Sequence, residues 1–229
     1  MIHVQYRGAL ILFALAALVT ILGVWLAARS YPSGFDWAYT VISRLASHRR
    51  NPEGALWLAA AMGVAMVLLW PVVSHLDRAF RTSVASPRPW IRTLQVGLVA
   101  GALLSVEGIL DLRLSSVVYK AHEVLAIFAF AGFYGGVVGL HLFRIRHRNA
   151  SVWPVTLVLL PLLAVGLTQV ALYFDQRDLG WVDTAWREMG VPIWLSFAFW
   201  QWAAVTFLAL GLGALVFASP AKPGEHSVV

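Results

Sequence analysis

The sequence predicts an all-α, polytopic membrane protein with six transmembrane helices and an amphipathic helix in the first outer loop. Three observations carry that prediction. Of 229 residues, 60% are hydrophobic and only 12% charged, whereas a soluble domain carries about 25% charge. The apolar residues gather into runs of bilayer length, and basic residues fall mostly in the short segments between them. A soluble globular protein is thereby excluded. At about 20 residues per crossing, residues 1–229 make one integral membrane domain with no room for a separate soluble one. Cysteine is absent, which removes disulfides, thiolate metal sites and cysteine nucleophiles together.

The runs lie at about Gly8–Ala28, Gly54–Ser74, Thr93–Leu112, Tyr119–Leu140, Val152–Phe174 and Val191–Phe217, each about 30–40 Å long as a helix. The first run follows Arg7 but continues to Ala27-Ala28-Arg29-Ser30 without a clean cleavage pattern, so a retained helix is expected rather than a secretory signal. In the loop from Arg29 to Glu53, residues Phe35, Ala38, Tyr39, Ile42, Leu45 and Ala46 recur at three- and four-residue spacing. That spacing predicts a surface helix over Phe35–Ser47, with Ser33 and Asp36 as its capping box. Asn51, Pro52 and Glu53 then supply an N-cap, a first-turn proline and a first-turn acid for the second span.

Small residues four apart mark the third and fourth spans: Gly97, Gly101, Ser105 and Gly108 on one, Ala131, Gly135 and Gly139 on the other, with Gly132 and Gly136 beside them. Such stripes let backbones approach closely in lipid and predict a tight hairpin joined by the Arg113–Val118 turn. Pro161 should kink the fifth span. The last outer loop, Asp175–Gly190, carries the belt residues Trp181 and Trp186, and Asp183 could cap a short turn.

Compact basic clusters at Arg78–Arg92 and Arg144–Arg148 place those segments, and with them both termini, on the cytoplasmic side. Lysine occurs only at Lys120 and Lys222, an arginine bias expected of a GC-rich bacterial genome. The location expected is the bacterial plasma (inner) membrane. The net charge of +6 reads as topogenic arginine, with no nucleic acid partner.

Ionisable groups inside a span are costly and normally face a partner or a cavity. Glu107, Asp111, His122 and Glu123 concentrate around the third–fourth hairpin. Glu107 and Asp111 are four apart and share a helical face. A turn centred near Ser116 sets Asp111 opposite Ala121–His122 and Glu107 opposite Glu123–Leu125. These four are the candidate catalytic residues, with His122 as base or ligand and Glu107 as its acidic partner. Ser43, Arg44 and His48 of the first loop, with Gln169 and Gln201 of the last two spans, are the candidate substrate-binding residues. No cofactor is demanded, but Glu107, Asp111 and His122 could hold a divalent metal such as zinc. His75 and His141, at cytoplasmic span ends, could bracket a haem. No nucleophile elbow or Walker-type loop occurs.

The stretch Tyr31-Pro32-Ser33-Gly34-Phe35-Asp36-Trp37, continuing through Ile42-Ser43-Arg44-Leu45 to Asn51-Pro52-Glu53-Gly54, resembles the first outer loop of small bacterial six-span proteins of a domain-of-unknown-function family. That family is similar to the eukaryotic Frag/DRAM/Sfk membrane proteins. Ala121-His122-Glu123 with the small residues after it also looks like that group. The resemblance implies a connection to lipids and an outward-facing motif, and assigns no chemistry.

The function expected is therefore binding, sensing or modifying a lipid or amphiphile at the outer leaflet through a polar site between spans three to six. If the protein is an enzyme, it is a lipid-directed hydrolase or transferase. The alternatives are a non-enzymatic scaffold whose polar network is structural, and a small transporter. Expected partners are membrane lipids, with a homo-oligomer or a partner membrane protein also open.

Overall fold

Every long apolar run forms a helix, and none of the described residues forms a strand. The structure, a computed structural model, describes residues 2–32, 34–81, 85–112, 120–148, 152–174 and 192–219. In chain order the helices among the described residues are α1 (Ile2–Arg29), α2 (Ile42–Leu45), α3 (Ala55–Phe80), α4 (Arg88–Ile109), α5 (Ala121–Arg148), α6 (Val152–Phe174) and α7 (Phe197–Phe217), with a 3-10 turn at Ile193–Leu195 before α7. Five of them, α1, α3, α4, α5 and α7, are long and apolar enough to cross a membrane. The Arg113–Val118 turn, Ser33 and the Asp175–Gly190 loop lie outside the described residues.

Several helices overrun their apolar runs. α3 continues to Phe80, α4 begins at Arg88 and α5 extends to Arg148, because a helix's hydrogen-bond ladder does not stop at the first arginine and long basic side chains reach outward. α7 begins later than its run, after Pro192 and the 3-10 turn, where Ser196 Oγ accepts the Phe199 N–H at 3.4 Å. Val67, Leu157 and Leu167 are each more than 70% exposed. They belong to a surface of exposed large apolar side chains along the long helices, a patch suited to contact with hydrocarbon or another protein. The main core, around Val72, Leu76, Phe80, Leu94, Leu140 and Leu215, lies toward the end of the bundle that carries the arginines.

The α4–α5 pair is a backbone-to-backbone contact. A Cβ added at Gly97 would lie 2.7 Å from the Phe133 nitrogen, and one at Gly132 would lie 2.6 Å from Gly97 Cα. The facing positions run antiparallel: Trp90 against Gly139, Leu94 against Gly136, Gly97 against Gly132. The rest of the α4 stripe turns elsewhere. Gly101 meets Met66, Gly108 meets Ala59, and Ser105 meets Gly63, so the small-residue face expected to pack wholly on α5 divides between α5 and α3.

The first loop departs from the helix expected over Phe35–Ser47, of which only Ile42–Leu45 is helical. Its backbone groups are bonded elsewhere. Ser196 Oγ donates to the Ala38 carbonyl, Trp202 Nε1 donates to the Thr40 carbonyl at 3.2 Å, and the Ile42 N–H donates to Gln201 Oε1 at 2.9 Å. Asp36 accepts the Ala38 N–H at 2.9 Å as a local turn rather than a helix cap. Part of the apolar pattern still faces inward: Leu45 is fully buried with Ala27 and Leu58, Phe35, Ile42 and Ala46 pack against them, and Phe35, Trp37 and Trp202 meet edge to face, whereas Tyr39 is half exposed.

Asn51 does not cap α3 with its side chain, since α3 begins at Ala55 with Gly54 before it. Fully buried, its Nδ2 donates to the Ala27 carbonyl at 2.9 Å and the Leu45 carbonyl at 3.0 Å. One amide thus satisfies carbonyls at the ends of α1 and α2. Gly54 is required beside it, because a Cβ there would lie 2.6 Å from Asn51 Oδ1 and 2.7 Å from the Ala27 oxygen.

Gly97→Val is expected to destabilise the protein by about 2 kcal/mol through overpacking, read as a lower unfolding midpoint in detergent. Gly8→Ala, where an added Cβ meets nothing within 4 Å, should not lower the midpoint and should raise it slightly through helix propensity. Asn51→Ala leaves two buried carbonyls unpaired and should cost about 2 kcal/mol in the same measurement. Equal midpoints for all three variants would contradict this packing.

Candidate functional site

Continuing the α4–α5 register by ten residues along α4 from Gly97 and ten back along α5 from Gly132 brings Glu107 opposite His122. The side chains meet there, with His122 Nδ1 2.8 Å from Glu107 Oε2. The register expected from a turn near Ser116 therefore slips, and Glu107 faces His122 rather than Glu123–Leu125. Backbone contact between glycines sets the pairing, not the midpoint of the connection. Glu107 is 9% exposed, while 44% of the His122 side chain is exposed. With the carboxylate as acceptor, His122 Nδ1 carries the proton of this bond, which fixes the orientation of the ring.

Asp111 does not share the face of Glu107, although the spacing suggests it. α4 ends at Ile109, and Asp111 adopts a left-handed φ of +47°. The Leu112 N–H returns to the Glu107 carbonyl at 2.9 Å and the Leu110 N–H to Val106 at 3.0 Å. This is a Schellman-type close in which Asp111 occupies the position usually given to glycine, and its exposed side chain leaves the helix face. Glu123, next to His122, is also exposed. The structure thus joins two of the four candidate catalytic residues and leaves the other two at the rim.

The first loop reaches the same place. His48 Nε2 donates to the Gly108 carbonyl at 2.7 Å, satisfying an end-of-helix acceptor one residue from Glu107. Ser43 and Arg44 are exposed on the one-turn helix α2. Gln201 holds the loop through the Ile42 N–H, and Gln169, 7% exposed, donates to the Phe197 carbonyl at 3.2 Å and ties α6 to α7. The glutamines are thus occupied in bonds between elements. Sequence reading missed Asn51 and Trp202 as the residues that seat the loop. Both signals were present, as a buried-type amide between turns and a tryptophan shortly past Ser196.

Among the described residues, no group of three or more His, Asp or Glu side chains converges as metal ligands. Glu107 and His122 would give a zinc ion two donors, with Asp111 turned aside by the helix close. His75 and His141 do not present free Nε2 atoms to a haem. His75 Nε2 lies 3.0 Å from Ser219 Oγ, and His141 Nε2 donates to the Gly211 carbonyl at 3.0 Å.

Chemically, a buried carboxylate orienting a half-exposed imidazole can bind a hydroxyl or amine proton, or accept one in general-base fashion. Comparison with family profiles, curated proteins and solved structures returns no match for this chain. The class the fold defines is an all-helical protein with several apolar helices of membrane-spanning length.

A double-mutant cycle of Glu107→Gln and His122→Gln is expected to give a coupling of about 1 kcal/mol, near the lower end for a charge-assisted bond because His122 is partly solvated. Additive effects on the unfolding midpoint would show that the pair does not interact.

Proposed function

We propose that the chain is a six-span protein of the bacterial plasma membrane, with α6 as the additional span and both termini cytoplasmic, that binds the polar head group of a lipid or amphiphile at the outer leaflet. The observation that carries the reading is the Glu107–His122 pair, a buried carboxylate on a half-exposed imidazole at the end of the bundle where the first loop closes. The supporting surroundings are apolar. Val106, Ile109, Val124, Ile127 and Phe128 are all exposed on α4 and α5 beside the pair, a wall suited to an acyl chain.

The orientation draws on the opposite end of the bundle, where Arg78, Arg88, Arg92 and Arg146 are exposed, as the positive-inside tendency requires of the cytoplasmic face. α6 has 23 residues, long enough to span. Resemblance of the first loop to the Frag/DRAM/Sfk group also implies lipid. Head-group hydroxyls or amines would bond to the imidazole, while Arg44 and Ser43 on α2 meet the phosphate layer. The dyad has the composition of a base and its orienting acid, which extends the reading to a lipid-directed hydrolase or transferase.

A scaffold in which the pair only locks the fold is the competing reading, favoured by the structural bonds of Gln169, Ser196 and Gln201.

Native mass spectrometry after incubation with a total bacterial lipid extract separates the two. Glu107→Gln and His122→Ala should each lower retention of the bound lipid at least about tenfold, equivalent to about 1.4 kcal/mol, in addition to the modest fall in unfolding midpoint that losing the pair itself causes. Undiminished lipid retention with a change confined to thermal stability would return the pair to a structural role.

A further inference from the structure

Both members of the Glu107–His122 pair stand on helix ends. Glu107 is in the last turn of α4, which ends at Ile109, and His122 is the second residue of α5. A terminal turn carries backbone groups with no partner in its own helix, and it frays unless something outside ties them. A 2.8 Å bond between two side chains so placed needs ends that are held.

At the end of α4 the group that needs a partner is the Gly108 carbonyl. In a continued helix it would accept the Leu112 N–H, four residues on. That N–H goes to the Glu107 carbonyl instead, at 2.9 Å, because Asp111 has left the helix with a φ of +47°. His48 Nε2 supplies the donor at 2.7 Å. The backbone is also crowded there, since a Cβ added at Gly108 would lie 2.8 Å from Ala59 Cβ and 3.9 Å from the Ala46 carbonyl oxygen. The last turn of α4 is thus set between α5, which meets Glu107, and α3 with the first loop, which meet Gly108. Glu107 and Gly108 are consecutive, so a shift of one backbone unit moves the other.

His48 owes its own position to distant residues. The helix before it, α2, is a single turn ending at Leu45. Upstream, Gln201 Oε1 accepts the Ile42 N–H at 2.9 Å and Trp202 Nε1 donates to the Thr40 carbonyl at 3.2 Å. Downstream, Asn51 Nδ2 donates to the Leu45 carbonyl at 3.0 Å. The loop segment that carries His48 is therefore seated by α7 on one side and by a buried amide on the other.

We infer that His48 is the positioning residue of the Glu107–His122 site. By holding the Gly108 carbonyl it fixes the last turn of α4 at the height where the Glu107 carboxylate meets His122 Nδ1, and the pair stays assembled only while α7 keeps the first loop seated. His48 acts through the backbone of α4, so what the position requires is a side-chain N–H donor. The inference deepens the lipid-binding reading, on which its functional consequence rests, by naming the first loop as the element that regulates the site.

The test uses the full chain in neutral detergent, isotope-labelled in its histidine nitrogens, with NMR following the proton on His122 Nδ1, assigned by its absence in His122→Gln. His48→Ala should speed solvent exchange of that proton about fivefold, the effect of losing one ordinary hydrogen bond. Retention of lipid from a total bacterial extract should fall by a similar factor. His48→Gln keeps an N–H for the Gly108 carbonyl and should recover most of both. Gln201→Ala leaves the Ile42 N–H without its acceptor and should act in the same direction, whereas Gln201→Glu keeps the acceptor oxygen and should not. His75→Ala, which removes the bond to Ser219 at the other end of the bundle, should lower the unfolding midpoint without changing the His122 exchange rate. Equal exchange in His48→Ala and the native chain would overturn the proposal, as would a loss that His48→Gln does not recover or that His75→Ala reproduces. Should His48→Ala not fold, the Gln201 variants decide, and equal exchange in the two would overturn it. Faster exchange in His48→Ala with lipid retention unchanged would leave the positioning role standing and count against the lipid-binding reading alone.

Discussion

The close approach of α4 and α5 at Gly97 and Gly132 is the constraint on which the candidate site depends. A side-chain carbon at Gly132 would lie only 2.5 Å from the Gly97 backbone nitrogen, so neither position accepts a larger residue without separating the helices. In lipid no hydrophobic force drives two apolar helices together, so this dispersion contact and its shape carry much of the pairing. Once two backbones touch at one point, the positions along both helices are determined. The partners ten residues away, Glu107 and His122, meet because of it. A carboxylate in an apolar bundle is costly without a partner, so the glycine contact also relieves the most expensive group on α4.

The first loop is held by a second constraint of a different kind. Its backbone is not organised by its own helix but by side chains of α7 and by Asn51. Ser196, Gln201 and Trp202 take the loop's carbonyls and N–H groups from one side, and Asn51 takes the carbonyls of Ala27 and Leu45 from within. Unpaired backbone groups near hydrocarbon cost several kcal/mol each, which explains why a loop of this length needs so many donors. The clamp delivers His48 to Gly108. In this way α7 reaches the end of α4 through the loop between α1 and α3.

Much of the architecture was legible from periodicity and composition. The long helices follow the apolar runs because hydrocarbon leaves a chain few other ways to satisfy its backbone. Glu107 and His122 could be singled out because charged and polar groups are rare in such runs. The details that escaped are those decided by tertiary contact. The register was misjudged from the turn, yet aligning the glycine stripes, Gly97 on Gly132 and Leu94 on Gly136, would have found it. Asp111 looked like a partner of Glu107 by spacing, but the helix closes two residues earlier and turns it away. The loop's amphipathic pattern correctly marked Leu45 as inward but not Tyr39, which is 49% exposed, while its helical form lost to hydrogen bonds from residues more than 150 positions distant. No local pattern encodes those partners.

The central claim is that the glycine contact sets the register and thereby builds the Glu107–His122 site. The native chain has no cysteine, so paired cysteine substitutions report distance without interference. Oxidative cross-linking in membranes should join Glu107→Cys to His122→Cys readily and Glu107→Cys to Leu125→Cys poorly, and adding Gly97→Leu should abolish the first cross-link. Preferential cross-linking of the second pair, or a first cross-link indifferent to Gly97→Leu, would contradict the account.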